Sequence, residues 1–334
     1  MRIAICFILS AVPIYMAWSQ ITGQDIKFFR IGTGASGTSF FPLGGIIALA
    51  ISNPPGSREC TQNLACSVPG LIAVAQTSKG SISNIEGLTT KQFESGLSQS
   101  DIALWAFQGE KLFQDKGVIS KLRAIASIFQ ETVHIFVRAD SNISSIMQLK
   151  GKKISIGEQN SDSYLTSKLI LEAYNLTEPL ITLDYSNAKA GLDKLQSKEI
   201  DAIFILGGTP LPIVNDYVQA SSLKLLSIDG EQAEKFRSQY PFFSIDIIPG
   251  GTYRGISNTV TLSIATLWLT SSDMPEDLVY QITKSLWYKI TNKKIDENNP
   301  IGKKIKIETA LVGIPVPLHP GAARFYTELQ KLAK

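Results

Sequence analysis

The stretch IKFFRIGTGASGTSFFPLGGIIALAIS (residues 26–52) passes from a strand pattern to a helix pattern within one short segment. IKFFRIG is typical of a strand, and GTGASGTSF is typical of a flexible turn. Proline is favoured in the first turn of a helix, so a helix is predicted from Pro42. The segment therefore predicts a βα unit, which is the building block of α/β folds.

Similar units recur along the chain. Strand patterns occur at Ile102–Trp105, Leu122–Ile128, Thr132–Arg138, Lys153–Gly157, Ala202–Leu206 and Thr259–Thr270. Apolar residues at near-helical spacing predict a helix around Leu165 to Leu176, and Pro275 is expected to begin another. This alternation predicts a parallel-rich sheet covered by helices.

The chain has 334 residues, more than the roughly 100 to 200 of a typical domain, so two lobes are expected. Extended segments near 132–138 and 259–270 would cross between the lobes and form the hinge. Lobe one is then residues 20–135 plus 265–334, and lobe two is residues 136–264. The predicted class is α/β, with two lobes joined by a hinge of two crossing strands.

The first 19 residues resemble a secretory signal peptide. Arg2 precedes an apolar run from Ile3 to Tyr15, and Ala17 and Ser19 stand at minus three and minus one from a cut before Gln20. The alternative is a membrane anchor, but a spanning helix needs about 20 apolar residues and Pro13 interrupts this shorter run. We expect cleavage and a periplasmic location.

Charge and cysteines restrict the possible partners. The formal net charge of +3 shows no basic excess of the kind that nucleic acid demands, so nucleic acid is not an expected partner. Cys60 and Cys66 are expected to form a disulfide in an exported protein. A metal site is not expected, because thiolate sites need further ligands and only His134 and His319 could supply imidazole.

The turn after the first strand has two interpretations. Gly32, Gly34 and Gly37 have the G-x-G-x-x-G spacing of a dinucleotide site, which is the basis of an oxidoreductase alternative. The helix would start late for that motif, and the acid about 20 residues further on, Glu59, lies in the cysteine loop. Exposed backbone N–H groups and hydroxyls would equally suit a carboxylate, or the hydroxyls would only cap the helix.

Five motifs then follow in the order of one family. They are GTGASGTSFFPLGG, TSKGSISNIEGLTTKQFESGLSQSDIA, VHIFVRADSNISSIMQLKGKKISIG, YPFFSIDIIPGGTY and GIPVPLHPGAARFY. The chain closely resembles the TAXI family of TRAP-transporter receptors (TRAP-associated extracytoplasmic immunogenic proteins), and its cysteine-bearing insert is similar to the subset called 31 kDa immunogenic proteins. The resemblance implies a two-lobed fold like that of the type II periplasmic binding proteins. It also implies a small carboxylate ligand, such as glutamate or a related dicarboxylate, bound between the lobes and delivered to a TRAP-type integral membrane permease.

The resemblance also implies a set of ligand-binding residues. In lobe one they are Gly34, Ser36, Thr38 and Phe40 in the first loop and Gln99 and Ser100 after the next strand; in lobe two they are Ser161, Ser163, Gly208, Thr209, Thr252 and Tyr253. The chain departs from the family at Glu158–Asn160, where a small, Gly-rich stretch is usual, and at Phe40 and Phe41, where a tyrosine is common.

Several further residues have both a ligand-binding and a structural interpretation. Arg254 could hold a carboxylate bidentately or could be a solvated loop residue. Arg138 and Asp140 are expected to form a hinge ion pair, and Asp101 a turn or cap. No G-x-S-x-G elbow occurs and neither histidine has a promising setting, so neither an enzyme nor a cofactor is expected. A structural antigen would leave the predicted cleft unexplained.

Overall fold

The computed structural model describes residues 26–35, 38–57, 67–220, 223–291 and 301–332. The predicted signal peptide (1–19), Ser36, Cys60 and Cys66 lie outside these ranges, so cleavage and the disulfide stay predictions. In the described ranges, no helix combines the length and the apolar character needed to cross a bilayer.

The secondary structure alternates along the chain. The strands are β1 (Lys27–Gly32), β2 (Ser52–Asn53), β3 (Val68–Pro69), β4 (Leu71–Gln76), β5 (Ser95–Gln99), β6 (Leu122–Arg138), β7 (Lys153–Ser155), β8 (Thr182–Asp184), β9 (Ala202–Gly207), β10 (Leu223–Leu225), β11 (Phe243–Ile248) and β12 (Thr259–Ser271). The helices are α1 (Phe40–Ile51), α2 (Ser81–Thr89), α3 (Ser100–Gln108), α4 (Asp162–Ala173), α5 (Ala188–Gln196), α6 (Asn215–Ala220), α7 (Gly230–Gln239), α8 (Glu276–Thr291) and α9 (Pro320–Leu332).

One continuous sheet runs through the described part of the chain. Its strand order is β4-β1-β5-β12-β6-β9-β7-β8, with β10 on β6 and β11 on β12. At one end β1 pairs in parallel with β4 and β5, and at the other β7 pairs in parallel with β8 and β9. Two parallel units are thus joined through the antiparallel pair of β6 and β12.

The two long strands β6 and β12 cross from one lobe to the other. Residues 266–270 of β12 pair with β5, whereas residues 259–264 pair with β11. In β6, residues 132–137 pair with β9. We call the side with β1, β4 and β5 lobe one and the side with β7 to β11 lobe two. The predicted two-lobed α/β fold with two crossing strands is confirmed; the residue boundaries given above stay a prediction.

Each lobe has its own apolar core. Trp268 of β12 and Trp287 of α8 are buried in lobe one, and Phe204 of β9 and Phe236 of α7 are buried in lobe two. A third apolar cluster joins α3 to α4 across the boundary between the lobes. The lobes therefore lie in contact beside the hinge.

Two local predictions were wrong. Ile102–Trp105 is not a strand but part of α3, in which Ile102, Ala103 and Ala106 are buried; a short apolar run does not by itself separate a strand from a buried helix. The two strands predicted within 122–138 are one continuous strand, β6.

The other strands and helices lie close to their predicted positions. The helix predicted from Pro42 begins at Phe40, so proline lies in its first turn, and α8 begins directly after Pro275. The Arg138–Asp140 ion pair is present, with Nε to Oδ1 at 3.3 Å.

Candidate functional site between the lobes

Two adjoining cavities lie where the lobes face each other. The smaller, about 300 Å³, is lined from lobe one by Gly34, Ala35, Thr38, Phe40, Ser78, Lys79 and Gly80, from β6 by Glu131, and from lobe two by Glu158 to Ser163 and Leu206. The larger, about 720 Å³, shares Thr38, Ser161 and Ser163 with it and extends along Ile205, Gly208, Pro210 and Leu211. Both volumes fall within the range that is typical of small-molecule sites.

The glycine turn after β1 forms the lobe-one wall. Thr38 donates from both its backbone N–H (2.9 Å) and its hydroxyl (2.8 Å) to the carbonyl oxygen of Ala35. A Cβ atom on Gly34 would lie 2.5 Å from Thr38 Oγ1, so a larger residue there would displace the Thr38 side chain. The Thr38 hydroxyl proton is thus used inside the turn, and Thr38 shapes this wall.

The turn is fastened to the rest of lobe one by buried polar side chains. Asn84 of α2 donates from Nδ2 to the carbonyl oxygens of Thr33 (2.6 Å) and Leu97 (2.7 Å). Ser78 donates from its backbone N–H to the carbonyl oxygen of Gly34 at 3.4 Å. Ser78 and Lys79 are therefore held beside the glycine turn, in the same cavity wall.

The lobe-two wall is the start of α4 together with the end of β9. Ser161 caps α4, with Oγ accepting the N–H of Tyr164 at 3.2 Å. Ser163 Oγ accepts the N–H of Leu206 at 3.2 Å, which ties α4 to β9. Both predicted residues line the cavities, and both also fix the shape of the wall.

Two hydrogen bonds join the walls across the cleft. The Gly208 amide donates to Ser39 Oγ at 3.0 Å. The Asp162 carboxylate accepts the N–H of Ser81 at 3.2 and 3.4 Å, at the N-terminal end of α2. Removal from water raises the pKa of Asp162 to about 6, against the hydrogen bonds from Ser81. The structure is thus a closed arrangement of the lobes.

A carboxyl group from the hinge lies at the back of the smaller cavity. Glu131 of β6 is only 4% exposed and accepts a hydrogen bond from Gln99 Nε2 at 3.3 Å. Burial, and then the nearby charge of Asp162, raises its pKa to about 8, while Gln99 and the hydroxyls of Thr266 and Ser39 act in the opposite direction. No described lysine or arginine forms an ion pair with Glu131.

Gln99 and Ser100 lie behind this cavity and do not line it. Both are fully buried, and the side-chain amide of Gln99 donates to Glu131, which does line the cavity. Asp101, in the first turn of α3, is also fully buried, and its Oδ1 accepts the N–H of Ile102 at 2.7 Å. Burial, and then Asp162, raises the pKa of Asp101 to about 7.

Thr209 and Tyr253 belong to a buried network beneath the Gly208 loop. The Tyr253 hydroxyl accepts the Leu211 amide at 2.8 Å and lies 3.0 Å from His134 Nε2, and Thr209 Oγ1 lies 3.3 Å from the same nitrogen. Burial lowers the pKa of His134 to about 3, so the ring is neutral. Thr252, Tyr253 and the exposed Arg254 line neither of the two cavities.

A model of the NMT1-like family matches residues 31–329. The chain belongs to the NMT1-like family.

Several solved structures are similar to this NMT1-like chain at low identity. A putative periplasmic sulfonate-binding protein from Methylobacillus flagellatus KT is 14% identical, with a TM-score of 0.49, over 83% of this chain and 72% of its own. The periplasmic aliphatic sulphonate-binding protein of Escherichia coli is 14% identical, with a TM-score of 0.47, over 90% and 83%. A putative L-cystine ABC transporter from Listeria monocytogenes is 15% identical, with a TM-score of 0.47, over 85% and 98%.

Four charged residues of the NMT1-like chain's smaller cavity were not among the predicted site residues: Lys79, Glu131, Glu158 and Asp162. The signal for Glu131 was a lone carboxyl inside the apolar strand LRAIASIFQETVHIFVR. A charge at a buried strand position is costly without a partner, which marks it as a candidate. No local pattern distinguished Asp162 from other acidic residues in the first turn of a helix, because its partner Ser81 is 81 positions away.

Proposed function

We propose that this chain is an extracytoplasmic solute-binding receptor of the TAXI type, which binds a small carboxylate between its lobes and delivers it to a TRAP-type permease. One observation carries the proposal: two adjoining cavities are walled by both lobes, and hydrogen bonds across the cleft hold the walls together. A site divided in this way exists complete only in the closed form.

Closure is then the consequence of binding. Since only the closed form brings both walls to the solute, the solute shifts the population of lobes towards that form. The crossing strands β6 and β12 are the natural hinge, because they are the segments shared by the two lobes. A permease that binds the closed shape can distinguish a loaded receptor from an empty one.

Anion binding is supported by the lobe-one wall. The cavity side of the glycine turn carries Gly34 and Thr38, and Lys79 stands in the same wall, exposed and without an ion pair to any described residue. Ser36, which is also predicted to bind the carboxylate, lies outside the described residues. A carboxylate placed here would face the ammonium group of Lys79.

The test is a thermal-shift screen of purified residues 20–334 against amino acids, carboxylates, sulfonates, sugars and NAD. A ligand at 100 times its dissociation constant adds about 2.7 kcal/mol to the free energy of unfolding. We expect a small carboxylate to raise the melting temperature, calorimetry to give one site, and small-angle scattering to show compaction. Stabilisation by NAD alone would favour the oxidoreductase alternative, and stabilisation by no compound would contradict the receptor proposal.

A further inference from the structure

The smaller cavity carries opposite charges at different parts of its wall. Its charged lining residues are Lys79 in lobe one, Glu131 on the hinge strand, and Glu158 and Asp162 in lobe two. Lys79 is held next to Gly34 through the Ser78 hydrogen bond, whereas Glu131 comes from β6 at the back. A simple dicarboxylate would match the first region and meet carboxyl groups at the second.

Asp162 already has a partner within the protein. Its two carboxylate oxygens accept the N–H of Ser81, where the partial positive charge at the start of α2 also favours an anion. The group is therefore engaged in joining the lobes. Glu158 is exposed at the rim, where water screens its charge.

Glu131 has no such compensation. A carboxylate can accept about four hydrogen bonds, and the donors that the structure places beside Glu131 are all neutral: the amide of Gln99 and the hydroxyls of Thr266 and Ser39. The titratable group that acts on it is Asp162 of α4, which adds negative charge. A buried carboxyl that faces a cavity without a cation lacks its partner, and a cationic ligand group would supply it.

We propose that Glu131 binds a protonated amino group of the ligand, so that the site selects amino-bearing carboxylates over simple mono- and dicarboxylates. This inference rests on the proposed receptor function and names the ligand class of the same site. The carboxylate lies against Gly34 and Lys79, the ammonium group faces Glu131, and Gln99 is a positioning residue that orients the Glu131 carboxyl. The rest of the ligand extends towards the larger cavity, along Leu206 and Leu211.

The experiment uses matched ligand triplets on the wild-type protein, measured by calorimetry. Each triplet is an amino acid, the same acid without its amino group, and the amine without its α-carboxylate: L-glutamate, glutarate and 4-aminobutanoate; L-leucine, 4-methylpentanoate and isopentylamine; L-phenylalanine, 3-phenylpropanoate and phenethylamine. We expect the best-binding amino acid to exceed its deaminated acid by about tenfold or more, as for one charge-assisted hydrogen bond.

Two variants separate Glu131 from the rest of the cavity. Glu131→Gln should weaken the amino acid about tenfold or more while leaving the deaminated acid unchanged or tighter. Glu172→Gln, a matched change at an exposed position of α4 that lines neither cavity, should leave the ratio between the two ligands unaltered. A positioning change, Gln99→Leu, should reduce the same ratio without abolishing binding of the deaminated acid.

The outcomes distinguish this inference from the receptor proposal. If deaminated acids bind as well as or better than amino acids, or if Glu131→Gln weakens both ligands equally, the inference is wrong and the receptor proposal stands. If amines bind as tightly as amino acids, Glu131 is the cation site but the carboxylate assignment fails.

The pH dependence of binding gives a second test. Affinity for the amino acid should stay level or rise from about pH 6.5 to 8, because an ammonium group favours ionised Glu131. A fall in affinity would show a protonated Glu131 donating to an anion and would overturn the inference. Binding of no triplet member or other solute would overturn both proposals.

Discussion

The carboxylate of Asp162, the first residue of α4, accepts the backbone N–H of Ser81, the first residue of α2, at 3.2 Å. The two helices belong to different lobes, so a side chain of one lobe caps a helix of the other. The contact can exist only when the cleft is closed, and the closed form is also the form that encloses the smaller cavity. Ligand affinity should therefore depend on this residue even where it does not contact the ligand.

Replacing Asp162 with alanine should weaken binding of the cognate solute. Loss of a helix-capping side chain costs about 0.5 to 2 kcal/mol, which corresponds to roughly a 2- to 30-fold lower affinity when the cap forms on closure. Calorimetry measures the affinity and small-angle scattering the closure. Asp277→Ala, a change in the first turn of α8 away from the cleft, is the matched control and should bind normally. Equal effects of the two changes would contradict a closing role for Asp162.

Replacing Gly208 with alanine should disturb the loop that follows β9. The new Cβ would lie 2.5 Å from Phe129 Cζ, so either the loop or the aromatic ring must move, at a cost of about 1 to 3 kcal/mol for such overpacking. Because the Gly208 amide also donates to Ser39 across the cleft, ligand affinity should fall as well.

The control for this change is Gly45→Ala in α1, where nothing lies within 4 Å of the added Cβ. Alanine is the better helix former, so this variant should be as stable as the wild type or more stable by up to about 1 kcal/mol. Denaturant titration compares the two variants. A Gly208 variant with wild-type stability and affinity would show that the loop tolerates displacement.

Tyr253→Phe should lower the free energy of unfolding, and the loss should not depend on pH near neutrality. The change removes the acceptor of the buried Leu211 amide and a hydrogen-bonding partner of His134, and an unsatisfied buried donor costs about 1 to 3 kcal/mol. Tyr280→Phe, which removes an exposed hydroxyl bonded to Glu328, should cost less than about 1 kcal/mol. Equal losses in denaturant titration would contradict a structural role for the Tyr253 hydroxyl.

The free energy of unfolding of the ligand-free protein should fall as the pH rises from about 7 to about 8 and then level off. Glu131 has a pKa of about 8 in the folded protein, whereas a glutamate in an unfolded chain has about 4.3. The folded state therefore holds a proton that the unfolded state has released, and stability decreases with pH up to the folded pKa. Asp162 and Asp101 act in the same sense at lower pH, since their folded pKa values are about 6 and about 7.

Both histidines have lowered pKa values and act in the opposite sense, but their contribution is complete near pH 7, where they are neutral in both states. The measurement is denaturant titration across this pH range. Glu131→Gln should flatten the decline, whereas Glu158→Gln should keep it. A decline that persists in Glu131→Gln would assign it to another group.

The order of strands and helices was largely accessible from local patterns. The βα unit at 26–52, the apolar strand at 202–206 and the long strand at 259–270 followed from periodicity, glycine turns and proline positions, which are properties of short segments. Ile102–Trp105 failed because a run of four apolar residues fits a buried strand and a buried helix equally well. Only packing against the rest of lobe one decided for a helix.

The candidate site divides in the same way. Local sequence determined the glycine turn at Gly34, where a Cβ would crowd the Thr38 hydroxyl that bonds to Ala35. It also indicated hydroxyls at Ser161 and Ser163. Only the tertiary structure showed that Glu131 lines the cavity, that Gln99 and Tyr253 do not, and that Asp162 bonds to Ser81. These relationships depend on contacts between residues tens of positions apart, which chain topology creates and no local pattern contains.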